Sequence, residues 1–260
     1  MSTKTDNAKA LYIEGIQKGQ AKEAVAAYTG ERYTQHSTGV RDGADGFVEF
    51  FGAFLERNPI RDIHILRAIE DGQFVFLHAS QSLNNGESRW ITMDMFDTDD
   101  HDRIVEHWDV ITEWVDSATS GHSQIDGPTE VTDLDQTAAN KALVTAFVNE
   151  VLVTGRADEV GKYVSTQTYI EHSPQAAAGT DGLSASAAQV GAASTPLVYK
   201  YVHKILAQGN FVVTYCLTQL GAEDLAVFDL YRIEDGLIVE HWNAMEPLPR
   251  GDMLVNQGKF

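Results

Sequence analysis

The chain has 260 residues, and its 38 acidic and 19 basic residues give a formal net charge of -19. Nucleic acids and anionic membranes need a positive protein face, so neither is expected as a partner. Hydrophobic residues make up 43% of the chain, which is typical of globular proteins. Residues 1–7 are mostly polar, no apolar run approaches the length of a membrane span, and Cys216 has no second cysteine to pair with. We therefore expect a soluble, cytoplasmic protein.

The first half of the chain predicts three helices followed by four strands. Leu11, Tyr12 and Ile16 lie at helical spacing before Gly19, and a second short helix is expected over 21–28. Residues 33–37 are too few for a helix and predict a strand fragment. A third helix can be capped by Asp42 or Asp45, and it carries on one face Phe47, Phe50, Phe51 and Phe54. From residue 60 the hydrophobic period becomes two, which predicts strands at about 60–70, 73–83, 88–97 and 103–113.

The second half repeats this order after a predicted linker. Residues 116–132 are rich in Ser, Gly, Asp and Thr, a composition typical of linkers. Leu143, Phe147 and Val151 lie four residues apart and predict a long helix that Gly155 ends. Shorter helices are predicted over 157–164 and 181–193, and strands at about 197–207, 210–220, 223–232 and 237–245.

A duplication explains why the two halves share one order of elements. Ile104–Trp108 and Ile238–Trp242 are identical in sequence. Tyr33–Ser37 and Tyr169–Ser173 also match, at nearly the same spacing along the chain, and further pairs match in the same order. We therefore predict two copies of one domain, over 3–115 and 133–246, with the linker between them and a tail over 247–260.

The predicted elements of each copy indicate an α+β fold. Three N-terminal helices would pack on a curved, mainly antiparallel sheet. Helices that cover one face of such a sheet form a cone with an apolar cavity, which is a common site for small molecules. The sequence thus predicts two tandem cone-shaped α+β barrels.

Two segments of the second copy resemble a known family. Asp229–Trp242 resembles the C-terminal hairpin of SnoaL-like proteins in the nuclear transport factor 2-like (NTF2-like) superfamily, and Tyr169–Pro174 resembles the family's segment after the second helix. The first copy departs from this pattern at Asp97, where the family usually has Arg. The resemblance implies a cone-shaped barrel with a deep pocket, and a tandem pair that forms a pseudo-dimer within one chain.

The same resemblance implies several chemistries. Members of the family include polyketide cyclases that close rings by intramolecular aldol condensation without a cofactor. The superfamily also holds dehydratases, epoxide hydrolases, a ketosteroid isomerase and members with no known activity. The fold alone therefore does not determine the function.

Two aspartates are the first candidates for chemistry. An aldol closure needs a base that removes a proton next to a carbonyl and an acid that protonates the new oxyanion. Asp94 and Asp229 lie in the middle of apolar predicted strands, where desolvation raises the pKa of a carboxyl group and suits it to either role. The alternative is structural, with the aspartate bonded to backbone or Arg, or facing solvent from an edge strand.

Histidines in the two repeated motifs are further catalytic candidates. Strand alternation puts His107 and Trp108 on opposite faces, without showing which face lines the pocket. For His107 and its counterpart His241, the alternative is a position at a domain interface. His36 and His172, in the segment after the second helix, are expected near the pocket mouth, with a local hydrogen bond as the alternative.

A further group of side chains is expected to contact the substrate or to pack around it. His78 corresponds to Tyr215 in the second copy, and both could place a polar tip in the cavity. Trp108 and Trp242 favour packing over binding. The candidates for substrate contact are Tyr33, His78, Trp108, Tyr169, Tyr215 and Trp242.

Neither a metal nor a cofactor is predicted. His36, His78 and His107 could converge in the first domain, but their spacing does not resemble a zinc motif, and the second copy has Tyr215 in place of His78. The chain has neither a glycine-rich phosphate loop nor a Gly-x-Ser-x-Gly nucleophile motif.

The sequence is compatible with two functions. One is cofactor-independent acid/base catalysis on a small apolar carbonyl compound, of the aldol cyclase, isomerase or dehydratase type. The other is a non-catalytic module that binds a small molecule or mediates assembly. Because Ala185, Ala187 and Ala188 take the place of the first copy's phenylalanines, the roomier pocket is expected in the second domain.

Overall fold

The computed structural model describes residues 3–174 and 197–260, which form two compact units. The first unit comprises Met1–Trp114 together with Leu248–Phe260, and the second comprises Val115–Pro247. The segment predicted as a linker is therefore part of the second unit, and the tail is part of the first. The helix predicted over 181–193 lies outside the described residues.

Three helical segments open the first unit, as the hydrophobic spacing predicts. Helix α1 covers Thr3–Ala10 and continues as a π-helical segment, Leu11–Gln17; it is followed by α2, Ala21–Tyr28, and α3, Gly43–Arg57. Gly19 ends the first segment in the left-handed region, with φ +76°, where a side chain would be strained. Asp42 occupies the N-cap position of α3, as predicted, but its side chain makes no capping hydrogen bond. Its carboxylate instead accepts from the backbone N–H of Gln35.

The first sheet has five strands, with one parallel pair at its edge. Its strand order is β1-β5-β4-β3-β2, and only β1 runs parallel to its neighbour β5. The predicted strand fragment is β1, which is longer than expected, and the other four strands lie within two residues of their predicted bounds. The strands are β1 Thr29–Gln35, β2 Arg61–Asp71, β3 Phe74–Leu83, β4 Ser88–Thr98 and β5 Ile104–Glu113.

The second unit repeats this topology over its described residues. Helix α4 covers Thr137–Phe147 and again continues as a π-helical segment, Val148–Val153. A 3-10 helix at Ala157–Lys162 replaces the predicted short α-helix. The sheet order is β6-β10-β9-β8-β7, with β6 parallel to β10. Its strands are β6 Ile170–Glu171, β7 Leu197–Gln208, β8 Phe211–Leu220, β9 Glu223–Glu234 and β10 Leu237–Pro247.

Each unit has its own apolar core between helices and one face of its sheet. In the first unit Leu77 and Phe96 of the sheet pack with Leu11 and Val25 of the helical segments. In the second, Val212 and Tyr231 belong to a core with residues of α4 and its π-helical extension. The predicted α+β fold in two copies is thereby confirmed. Within the described ranges, no helix is both long enough and apolar enough to span a membrane.

Candidate active site

A cavity of about 290 Å³ lies in the first unit between its helices and its sheet. Helix α3 contributes four phenylalanines to its apolar wall, and β4 contributes Phe96. The helix presents this face because its aromatic residues recur at helical spacing. The phenylalanines of α3 are Phe47, Phe50, Phe51 and Phe54.

Asp94 and His107 meet at the polar end of this cavity. Asp94 Oδ1 lies 2.9 Å from His107 Nε2, on adjacent antiparallel strands. The Tyr12 hydroxyl donates to Asp94 Oδ2 at 2.8 Å. Only 1% of Asp94 is exposed, and burial raises the pKa of its carboxyl group, although the His107 ring and the Tyr12 hydroxyl act in the opposite direction. Asp94 is therefore a carboxyl group whose proton affinity is high for its type.

A second carboxylate, Asp109, is linked to the first through Ser37 and His107. The Ser37 hydroxyl donates to Asp109 Oδ2 at 2.8 Å and lies 3.3 Å from His107 Nδ1. On the other side, Lys259 Nζ donates to Asp109 Oδ1 at 2.9 Å. Burial alone would raise the pKa of Asp109, but the Lys259 ammonium and the His107 ring outweigh burial and lower it. The two carboxyl groups of the cavity thus have pKa values that move apart, a pattern found where acid and base roles are divided.

Tyr33 presents a hydroxyl group to the same cavity. Its residue is 4% exposed, and among the described residues the hydroxyl has no hydrogen bond of normal geometry, although the Gln35 side chain lies nearby. Burial, followed by the charges of Asp109 and Asp94, raises the pKa of Tyr33 far above its usual value. The hydroxyl therefore keeps its proton at neutral pH, and a buried donor left without an acceptor is unfavourable by about 1–3 kcal/mol.

The grouping of Asp94, His107 and Asp109 also has the donor types of a metal site. One donor atom from each lies within 4.8 Å of the other two. In this cluster, however, Asp109 already faces the Lys259 ammonium, and Asp94 accepts a hydrogen bond from Tyr12 and faces His107. The ligand atoms of this group thus already have a positive charge and hydrogen-bond partners within the protein.

The second unit holds a corresponding but more strongly ionic cluster. His241 Nε2 lies 2.9 Å from Asp229 Oδ1, and His241 Nδ1 lies 2.9 Å from Glu171 Oε1. Tyr199 donates to Asp229 at 3.0 Å, which is the role that Tyr12 has in the first unit. Burial would lower the pKa of His241, but the charge of Glu171 and the bonds to both carboxylates raise it to about 10. His241 is therefore an imidazolium at neutral pH.

The two clusters differ at two equivalent positions: where one cluster has an acid, the other has an amide. Gln35 of β1 corresponds to Glu171, and Asp109 of β5 corresponds to Asn243. Each unit consequently has two carboxylates and one imidazole, but the second carboxylate lies on a different strand. Neither Gln35 nor Asp109 is a candidate from the sequence, although aligning the two repeats around the shared motif would have shown this exchange.

His36 and Trp108, two predicted site residues of the first unit, are not among the residues that line its cavity. His36 stacks on Trp108 with ring centroids 4.8 Å apart, and His172 stacks on Trp242 at 4.5 Å. The reason is strand alternation: Gln35 and Ser37, on either side of His36, take the cavity-facing positions.

His78 and its counterpart Tyr215 were expected to place polar tips in a cavity, and the structure gives both residues other partners. The His78 ring lies 3.1 Å from an Arg67 guanidinium nitrogen, and Tyr215 stacks on Phe228 at 4.2 Å. His78 is not among the residues lining the first cavity. Tyr169, by contrast, approaches its cluster directly, since it donates to Glu171 Oε2 at 2.6 Å.

Comparison with known proteins gives one family match and several similar structures. Residues 10–107 match the family model described as a SnoaL-like domain. A "putative polyketide cyclase" from Bacillus cereus is 18% identical, covering 42% of this chain and 74% of its own, with a TM-score of 0.38. An NTF2-like protein of unknown function from Cytophaga hutchinsonii is 19% identical, covering 46% and 95%, with a TM-score of 0.35. An LEH-like epoxide hydrolase from M. tuberculosis is 17% identical, covering 43% and 85%, with a TM-score of 0.34. No curated protein matches the chain.

Proposed function

Because residues 10–107 match the model of the SnoaL-like domain family, we propose that the first repeat binds a small apolar carbonyl compound and moves a proton at the carbon next to the carbonyl. The reaction would need no cofactor. The observation that carries this proposal is an aromatic cavity that ends at a buried carboxyl–imidazole pair, Asp94 and His107. An apolar wall with a few convergent polar groups suits an uncharged ligand with one polar end.

In this proposal Asp94 is the group that takes and returns the proton. Its raised pKa makes it a stronger base than an exposed aspartate, and the pKa of a useful general base lies closer to the working pH than that of a free carboxyl group. His107 and Tyr12 hold one oxygen each, which fixes the orientation of the carboxylate in the cavity. The second lone pair of each oxygen remains for the substrate proton.

Tyr33 is proposed to bind the carbonyl oxygen. When the carbon next to a carbonyl loses a proton, negative charge develops on the oxygen, and a positioned donor stabilises that charge. The Tyr33 hydroxyl keeps its proton, faces the cavity and lacks a hydrogen bond of normal geometry within the described part of the chain. A ligand carbonyl would satisfy it.

The experiment begins with binding and continues with exchange. A panel of uncharged cyclic ketones, with 2-tetralone first, is screened by thermal shift, and ketones that bind are incubated in deuterium oxide while exchange at the acidic carbon is followed. We expect Asp94→Asn to lower the exchange rate by about 10²-fold or more. Asp62→Asn, the same change at an exposed position, is the matched control and should exchange like the wild type. A panel without any binding ketone contradicts the proposed substrate class.

A non-catalytic binding module is the second candidate. The observation that favours it is that both oxygens of Asp94 already have partners and that the residue is almost fully buried. A structural carboxylate would look the same. A wild type that binds 2-tetralone but does not accelerate exchange supports this second function.

The second repeat contains a separate candidate site. Asp229, His241 and Glu171 meet there, while His172 stacks on Trp242. The helix on which the expected roomier pocket depends lies outside the described residues, so that expectation stays a prediction. Both ring nitrogens of His241 face carboxylates, which favours a fixed ion pair over a group that exchanges protons.

A further inference from the structure

The C-terminal tail belongs to the first unit, although it follows the second repeat in the sequence. The Asn256 side-chain amide donates to the carbonyl oxygens of Ser37 and Val40, at 2.8 and 2.7 Å. The Gly258 carbonyl accepts from His36 Nδ1 at 2.5 Å. These bonds hold the segment that supplies Ser37 and Val40 to the cavity wall.

Lys259 reaches from this tail to the polar end of the cavity. Its side chain has no exposed surface, and Nζ donates to both the Oδ1 and the backbone carbonyl of Asp109, each at 2.9 Å. An ammonium group out of contact with water is stable only beside a counter-charge and hydrogen-bond acceptors. Asp109 provides both, so the pair is mutually dependent.

Several titratable groups surround Asp109 from every side. His107 lies on the same strand, Asp94 is paired with Asp109 across β4 and β5, and the hydroxyls of Tyr12 and Tyr33 are close enough to be affected by its charge. Lys259 adds an ammonium group to these neighbours of Asp109. Without it, two buried carboxylates would face each other, and such a pair holds a shared proton because like charges in one site disfavour double ionisation.

We propose that the tail is a working part of the first repeat's site and that Lys259 is a positioning residue, which keeps Asp109 ionised so that Asp94 alone exchanges the proton. The role given to Asp94 rests on the proposed function. The pairing of Lys259 with Asp109 rests on the contacts alone, and the lowered pKa of Asp109 beside the raised pKa of Asp94 supports it.

Carboxyl NMR on the full-length chain tests the pairing without any ligand. Aspartate side chains are labelled with ¹³C, and the Asp109 signal is identified by its loss in Asp109→Asn. We expect Lys259→Met to move the titration midpoint of Asp109 upward by about 1–3 pH units. Lys259→Arg should restore much of the difference, and the exposed neighbour Gln257→Ala is the control that should change nothing. An unchanged midpoint in Lys259→Met overturns the proposal.

The pH dependence of deuterium exchange into 2-tetralone then distinguishes a positioning role of Lys259 from a role in packing alone. In Lys259→Met the acid limb of the pH–rate profile should move upward, because loss of the ammonium raises the proton affinity of the Asp94–Asp109 pair as a whole. A tail that merely stabilises the fold would lower the rate by the same factor at every pH, which would contradict the positioning role. A wild type without exchange would refute the proposed function, while the NMR result would still decide the Lys259–Asp109 pairing.

If Lys259→Met does not fold, a measurement on the wild type still tests the proposal. The ammonium protons of Lys259 should be protected from exchange with water, and the Lys259 nitrogen shift should follow the titration of Asp109 at acidic pH. Rapid solvent exchange and a flat titration would overturn the proposal.

Discussion

Replacing Glu171 by Gln in the second repeat tests the electrostatic account of the buried clusters. The change keeps the shape of the side chain and copies Gln35, the residue at the equivalent position of the first repeat. Glu171 faces His241 Nδ1 at 2.9 Å, and neither side chain is more than 4% exposed. The substitution removes one negative charge and leaves an oxygen that still accepts from the ring N–H.

The magnitude follows from the pKa of His241, which its two carboxylate partners raise from 6.5 to about 10. A group whose folded-state pKa is raised contributes stability that is fully present below pH 6.5 and is lost as the pH rises through about 10. The difference corresponds to about 5 kcal/mol at about 1.36 kcal/mol per pH unit. This figure describes only the pH-dependent part, because burying two carboxylates is itself unfavourable.

Loss of one opposite charge at this distance should lower the pKa of His241 by about 1–3 pH units. The pH-dependent stabilisation of the second repeat should then fall by about 1.4–4 kcal/mol. Long-range ¹H–¹⁵N spectra of the imidazole, recorded between pH 5 and about pH 10.5, measure the pKa directly. They are accompanied by urea unfolding at each pH.

The matched control is Glu234→Gln, which removes an exposed carboxylate that pairs with Arg232 in the same repeat. It should leave the titration of His241 unchanged. The reasoning is refuted if His241 of the wild type titrates near its ordinary pKa, or if Glu171→Gln leaves a raised pKa where it was.

Two further predictions concern packing and hydrogen bonding. Gly72 and Gly209 occupy equivalent turns with φ near +60°, but a Cβ on Gly209 would lie 1.8 Å from the Thr132 carbonyl oxygen, whereas space around Gly72 is open. Gly209→Ala should therefore cost more stability in urea unfolding than Gly72→Ala, and equal losses would contradict the close approach of residue 132. Tyr12→Phe removes a hydrogen-bond donor to Asp94, so it should lower the free energy of unfolding by about 1–2 kcal/mol and raise the pKa of Asp94 further. If the acid limb of the pH–rate profile for deuterium exchange does not move, Tyr12 is not the partner that orients Asp94.

Much of the fold could be predicted because the same sequence pattern occurs in both halves of the chain. Period-two hydrophobicity and turn residues such as Gly72 and Gly209 placed eight strands within two residues of their observed bounds. The π-helical ends of the first helix in each repeat were not predictable, since hydrophobic spacing does not distinguish them from α-helix. The cytoplasmic location and the pseudo-dimer stay predictions.

The site was only partly predictable for a different physical reason. Alternation along β5 showed that His107 and Trp108 face opposite ways, but only packing of the helices decides which face becomes the cavity. The sequence thus identified Asp94 and His107 as candidates, and it left His36 open between the pocket and a local hydrogen bond. In the structure His36 bonds Gly258 and Glu106 and does not line the cavity. Lys259 lies far from Asp109 in sequence, in a tail without periodicity, and its role depends entirely on where the tail packs.

The rate of deuterium incorporation into 2-tetralone, measured for Asp94→Asn and Asp229→Asn beside the wild type, tests the central claim most directly. We expect the wild type to accelerate incorporation, and we expect Asp94→Asn to lose about 10²-fold or more of that rate while it still binds the ketone. Wild-type exchange in Asp94→Asn, together with its loss in Asp229→Asn, would contradict the account and place the chemistry in the second repeat.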